Sequence, residues 1–266
     1  MTDPDRLNPT HLRTLLARTH QLETAATEHL KKFCSHTSGY VAWSGGKDST
    51  AAVTLARKTH PNIPVVFFNS GLEFPETVNY IYQTAEQLSY NFHEILAKPT
   101  ALEFLIGTGL WEHQHKGTTT RSANPFTASL HRILITEPSL TAHNMFGEGE
   151  ILGLRAQESA GRRIHLAKHK GEYGKKLDGR TVQVCCPLWN WDDGNVNSFL
   201  HRENLPANPV YKKLSQLGVP AEQQRAGLIL DGNGLEFGRA VWLKQGWPEL
   251  WENLTECLPA LSQWSQ

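Results

Sequence analysis

Tyr40-Val41-Ala42-Trp43-Ser44-Gly45-Gly46-Lys47-Asp48-Ser49-Thr50-Ala51-Ala52-Val53-Thr54-Leu55-Ala56 is the stretch from which the fold of this chain can be read. An apolar strand runs through two glycines into a helix whose first turn carries Lys47, Asp48, Ser49 and Thr50. Such a turn makes an anion site. Glycines let the backbone approach closely, the first helical N–H groups point outward, and the helix dipole adds partial positive charge where a phosphate sits. Lys47 can reach bound oxygens, and the hydroxyls of Ser44 and Ser49 add hydrogen-bond donors.

A Walker A loop would need a glycine five residues before the Gly-Lys pair and Ser or Thr directly after it. Those places hold Val41 and Asp48. Ser44 to Ser49, Ser-Gly-Gly-Lys-Asp-Ser, instead resembles the pyrophosphate loop of the ATP pyrophosphatase superfamily. Members of that superfamily grip the β and γ phosphates and cut ATP between α and β.

The chain has 266 residues, 39% hydrophobic and 20% charged, which is ordinary for a soluble enzyme with a core of its own. Lys+Arg and Asp+Glu both number 26, so net charge points to no nucleic-acid partner and any basic surface has to be local. No apolar run has membrane-spanning length and the polar start lacks a signal-peptide core, so the cytoplasm is the expected compartment. Four cysteines with no Cys-x-x-Cys pair give neither a disulfide framework nor a zinc or iron–sulfur site. For adjacent Cys185 and Cys186, core burial of one and chance proximity of the other is favoured over redox or persulfide chemistry.

Residues 9 to 33 read as an amphipathic helix packed across the start of a nucleotide domain. Val65 to Phe68 and Asn91 to Leu96 read as further buried strands, with a helix from Pro75 to about Leu88 between them. Alternating strands and helices at this spacing predict a doubly wound α/β fold. Its ligands bind at the carboxyl ends of the strands, where the 44–49 and 69–77 loops lie. Residues 107 to 126, with His113, His115, Lys116 and Arg121, read as an active-site loop or as a surface segment. A helix is expected from about Thr127 to His143 and a strand from Glu150 to Leu154.

Arg162 to Arg180 is basic and broken by glycines, which predicts a flap. It is a solvated loop, or it covers a triphosphate or meets a polyanion such as DNA. Thr181 to Leu188 reads as a strand, and Asp192 or Asp193 caps the helix that follows. Beyond Pro206, short helices broken by Pro, Gly and Asp231-Gly232-Asn233-Gly234 end in a helix with Trp247 and Trp251. The expected organisation is an N-terminal helix (1–37), a nucleotide domain (38–205) and a helical C-terminal region (206–266).

Over roughly residues 38 to 215 the chain resembles the phosphoadenosine-phosphosulfate reductase family of adenine-nucleotide hydrolases. The resemblance rests on Ser44 to Ser49, then on Asn69-Ser70-Gly71 with Phe74-Pro75-Glu76-Thr77, where the family shows Asp-Thr-Gly and Phe-Pro-Glu-Thr. It continues through Gly153-Leu154-Arg155, Glu158-Ser159 and Arg162, and through Pro187-Leu188-x-x-Trp191. It implies the adenine nucleotide alpha hydrolase-like, Rossmann-like sheet with a helical C-terminal extension. The reductases' Glu-Cys-Gly-x-His motif is absent, since Glu256-Cys257 is followed by Leu258-Pro259, and Arg225 to Leu228 stands where a cysteine pair is common. A cluster and reductase thiol chemistry are therefore not expected.

What remains is ATP activation, as in the cluster-free ATP pyrophosphatase component of DNA phosphorothioation systems. That resemblance implies adenylylation of an acceptor, with DNA-processing partners and a cysteine desulfurase supplying sulfur; a homodimer is one option for assembly. Lys47 and magnesium would stabilise the leaving pyrophosphate, and Asp48 would orient the metal or simply start the helix. Arg155 and Arg162 suit the α and γ oxygens, and Glu158 either holds one of them or is a surface pair. Trp43 and Phe68 either flank the adenine or pack the core. Ser44, Gly45, Gly46, Ser49, Asn69, Ser70, Gly71, Glu76 and Gly153 complete the expected ATP site. Alternatives are a sulfonucleotide reductase or ATP sulfurylase-like enzyme of sulfate assimilation, and a regulatory subunit that binds ATP without turnover.

Overall fold

The computed structural model describes residues 9–108, 130–227 and 239–265. Helix α1 (Pro9–His36) leads into β1 (Gly39–Ala42), α2 (Lys47–Thr59), β2 (Val65–Asn69), α3 (Pro75–Gln87), β3 (Phe92–Leu96) and α4 (Ala101–Thr108). A π turn (Arg132–Thr136) precedes α5 (Glu137–Phe146) and β4 (Gly149–Ile151). A 3-10 turn (Ala156–Glu158), α6 (Ala160–His169), β5 (Glu172–Leu177), β6 (Arg180–Cys185) and α7 (Asp193–Arg202) follow. The described C-terminal helices are α8 (Pro209–Gln216), α9 (Arg239–Gly246) and α10 (Pro248–Cys257). The 107–126 loop from residue 109 on, the expected start of a helix at Thr127, and Asp231 to Gly234 lie outside the described residues.

The strands form one sheet in the order β3-β2-β1-β4-β6-β5, parallel except for the β5–β6 pair. From β1 the chain moves outward to β2 and β3, then returns to place β4 on the other side of β1. This reversal between β1 and β4 is a topological switch point, the place where open α/β sheets bind their ligands. The doubly wound α/β class expected from the sequence is the fold observed.

Strand alternation decides the two faces. Val41, Trp43, Val65 and Phe67 join one core with α1, α2, α3 and α7, while Tyr40, Val66 and Phe68 pack with Ala142 of α5 on the opposite face. Leu30 and Phe33 of α1 are 0% and 2% exposed in the first core. Each such side chain contributes roughly 1.5–3 kcal/mol by burial, so α1 is part of the core rather than a strut on its surface. A second core gathers α8, α9 and α10 around Leu72 and Phe74, so the C-terminal helices cover the loop that follows β2.

The basic stretch is not a flap. It folds as helix α6 and then as β5, the edge strand of the sheet, joined to β6 by Asp178 and Gly179 at φ 49° and 83°. Asp-Gly with positive φ at both places is the hairpin turn that matches strand twist, so the second half of the stretch pairs instead of hanging free. The strand expected over Glu150 to Leu154 ends at Ile151. From there the chain leaves the sheet toward the start of α2.

Behind the sheet, Glu150 of β4 is 2% exposed. It accepts a hydrogen bond from Tyr40 Oη at 3.2 Å, has His143 Nε2 at 3.3 Å and forms an ion pair with Lys175 of β5. Burial pushes its pKa up, but the His143 hydrogen bond and the Lys175 charge more than offset this and hold the carboxyl below its usual range.

Candidate functional site

Gly45 turns the chain at φ 70° between β1 and α2, and Gly46 sits at the helix N-cap without a side-chain cap. The first-turn N–H groups are therefore left to other acceptors. Among the described residues those of Asp48 and Ser49 meet no protein acceptor, while the N–H of Lys47 donates to Tyr211 Oη at 3.3 Å. Ser49 Oγ donates to the Gly46 carbonyl at 3.0 Å and lies 3.1 Å from Ser44 Oγ, so the two hydroxyls line one side of the loop.

Four charged side chains meet at the switch point. Lys47 Nζ lies 3.1 Å from Asp48 Oδ2 and 2.9 Å from Asp193 Oδ1. Arg155 Nε lies 2.8 Å from Asp48 Oδ1, and an Arg155 terminal nitrogen lies 2.8 Å from the same Asp193 oxygen. Arg155 is 3% exposed, so its charge depends on those carboxylates. Burial works against its guanidinium, and the charges of Asp48 and Asp193 outweigh that to raise its pKa. Burial likewise raises the Asp193 carboxyl, but the Lys47 hydrogen bond and the Lys47 and Arg155 charges hold it low.

The backbone fixes this arrangement. A Cβ on Gly153 would lie 2.7 Å from the carbonyl carbon and oxygen of Asp48, so only glycine lets the segment after β4 lie against the start of α2. Glu158 accepts from the Arg155 N–H at 2.7 Å and pairs with the partly exposed Arg162 at 2.7 Å. Arg162 thereby connects to Arg155 through one carboxylate and does not itself touch Lys47, Asp48 or Asp193 among the described contacts.

Three expected site residues are placed elsewhere. Trp43 is 1% exposed, donates from its indole N–H to Thr50 Oγ1 at 3.0 Å and packs edge-on against Tyr80, Tyr90 and Phe92. Phe68 packs on Tyr40 across the sheet, so the two rings cannot sandwich an adenine; period-two alternation puts them on opposite faces. Glu76 is taken by Lys213 at 2.7 Å and by the Trp247 indole N–H at 2.8 Å, which ties α3 to the C-terminal helices instead of facing a nucleotide. In the neighbouring loop, Gly71 at φ 79° lets the Asn69 side chain accept from its N–H at 2.8 Å, and Ser70 Oγ donates to Glu73 at 2.7 Å.

Sequence reasoning missed Asp193, Asn208 and Tyr211. One signal was available for Asp193: Asp192 alone caps α7, accepting from the Asn195 N–H at 2.8 Å, which frees the next carboxylate. Asn208 donates to the Gly45 carbonyl and to Thr77 Oγ1, both at 3.0 Å. Cys185 and Cys186 are both 0% exposed, and burial pushes the Cys186 thiol up to about 12 and that of Cys185 well above its usual value. The sequence favours core burial for one of the pair, whereas the fold buries both.

Known proteins share this fold. The phosphoadenosine phosphosulfate reductase domain matches residues 39–218. Phosphoadenosine 5'-phosphosulfate reductase of Baumannia cicadellinicola is 30% identical over 202 residues, 73% of this chain and 74% of its own. The corresponding protein of Serratia proteamaculans is 28% identical over 198 residues, covering 73% and 74% of the two chains. A phosphoadenylyl-sulfate reductase structure from Candida auris, a phosphate complex, aligns with TM-score 0.54 at 19% identity over 78% of this chain and 92% of that one. Candida glabrata FMN adenylyltransferase with FAD and inorganic pyrophosphate aligns with TM-score 0.51 at 16% identity over 75% and 61%. These structural likenesses concern the fold, and the relatives' names lend the phosphorothioation branch no support. With the Ser44–Ser49 loop after β1 and the Arg155 segment after β4 inside the matched span, this chain belongs to the phosphoadenosine phosphosulfate reductase domain family.

Proposed function

We propose that the chain cleaves the α–β phosphoanhydride of ATP and transfers AMP to an acceptor oxygen, activating it toward sulfur. One observation carries the reading: a helix start with unpaired N–H donors stands beside Lys47 and Arg155, two cations bridged by the same pair of carboxylates. An acceptor oxygen attacks the α-phosphorus, and a new P–O bond forms as the bond to the α–β bridging oxygen breaks. The electron pair leaves on pyrophosphate.

Negative charge grows on that leaving group, where Lys47, the Asp48 and Ser49 N–H groups and Arg155 are suited to receive it. Magnesium is commonly held by one or two carboxylates plus phosphate oxygens, and Asp48 with Asp193 is a donor set of that kind. When bound, the ion would neutralise charge on the phosphates. The phosphorothioation version adds a DNA acceptor and sulfur delivered as a desulfurase persulfide. The buried, high-pKa thiols of Cys185 and Cys186 favour an outside sulfur source.

A second reading, reduction of a sulfonucleotide, is favoured by the names of the relatives. It would need a thiolate to attack the sulfonate sulfur, forming an S–S bond while the S–O bond to the nucleotide breaks; a thiol reductant then releases sulfite. Of the four cysteines Cys257 alone is exposed, at the end of α10, so this reading rests on it. Identifying the products of the pure protein separates the readings. AMP with pyrophosphate from ATP and magnesium supports the first, and sulfite from a sulfonucleotide with a thiol donor supports the second. In the same assays Cys257→Ser is expected to leave AMP formation within about twofold of wild type, since exposed substitutions change little. Loss of AMP formation in that variant would count against the proposal.

A further inference from the structure

We infer that Tyr211 is a stand-in for a nucleotide phosphate oxygen, and that its displacement carries nucleotide occupancy from the phosphate loop into α8 and the C-terminal helices. The inference rests on the phosphate-loop reading above and adds to it a device for sensing the ligand.

Tyr211 Oη accepts from the Lys47 N–H at 3.3 Å, the first N–H of α2 and one of the donors an anion there requires. A Cβ on Gly46 would lie 3.3 Å from that hydroxyl and 3.4 Å from Ser44 Oγ, so both oxygens overhang the loop glycine. A phenolic oxygen can accept this hydrogen bond as a phosphate oxygen does, but without its charge. The anion therefore makes the stronger partner and displaces the hydroxyl.

Tyr211 is attached to something able to respond. Its neighbour Asn208 caps α8, accepting from the Val210 N–H at 3.0 Å while donating to the Gly45 carbonyl at 3.0 Å. Lys213, two residues beyond Tyr211, pairs with Glu76 and lies 4.2 Å from the centre of the Trp247 ring. Val210 and Leu214 are buried with Trp247, Trp251 and Leu254 in the C-terminal core. One short helix thus holds the phosphate loop at one end and the C-terminal helices along its length, with Tyr211 its contact to a phosphate-binding N–H.

The test compares wild type with Tyr211→Phe, which keeps the ring and removes the competing oxygen. Calorimetric titration with pyrophosphate and with ATP and magnesium is expected to give about three- to tenfold tighter binding in the variant, the size of one net hydrogen bond. Hydrogen exchange is read in parallel: ligand changes protection over residues 209–223 in wild type and leaves it unchanged in Tyr211→Phe. Equal or weaker binding by the variant, or the same exchange response in both proteins, overturns the inference. Should the variant fail to fold, wild-type exchange decides alone, since an α8 indifferent to saturating ligand has no sensing role. Failure of wild type to bind either ligand defeats the phosphate-site reading itself, a result distinct from binding that ignores Tyr211.

Discussion

Lys47→Ala lowers kcat/KM for AMP and pyrophosphate formation by about 10²- to 10³-fold, the cost of removing one preorganised charge from a developing anion. The side chain is well placed for a loss of that size because its ammonium already shares carboxylates with Arg155 and stands on the first turn of α2. Folding should be nearly indifferent. Lys47 is one-third exposed and its two partners are part-exposed, so the ion pairs contribute no more than about 1 kcal/mol to stability. Steady-state kinetics with a urea midpoint on the same samples checks both statements. Wild-type turnover in the variant would remove the loop from the catalytic account.

The second large effect is on stability. Glu150→Ala leaves His143 and Lys175 without their shared carboxylate and is expected to destabilise the fold by about 3–5 kcal/mol, the usual consequence of breaking a buried pair from one side. The urea midpoint should fall with an unchanged slope. The pH dependence has a definite sign. Because the folded-state pKa of Glu150 is held below its unfolded value, its contribution is present above the ordinary carboxylate range and disappears as pH falls through the folded value. Wild type should therefore lose stability on acidification more steeply than Glu150→Ala. Parallel acid profiles for the two proteins would show that Glu150 carries no such contribution.

These two residues also mark what a reader of the sequence can and cannot see. Lys47 was legible because everything that gives it meaning is contiguous: the strand, both glycines and the helix lie within Tyr40 to Ala56. Glu150 was not, since its burial depends on β4 being interior to the sheet and on Lys175 arriving from an edge strand. The partnership of Arg155 with Asp48 spans 107 positions and exists only because β4 lies beside β1. Asp178-Gly179, by contrast, carries its hairpin in two adjacent residues, although the basic residues around it read equally as a flap. Trp43 shows a subtler failure. Its distance of two from Val41 already assigned it to the core face, but its place at a strand end suggested a ligand.

At Gly153 main chain meets main chain with no room for a methyl group, so the contact between the two segments works as a gauge of fixed dimensions. A lineage altering its substrate on this framework cannot retune the spacing between the two cationic segments by small steps, because any substitution there separates them together. Change is pushed outward, to side chains that take no part in this main-chain contact.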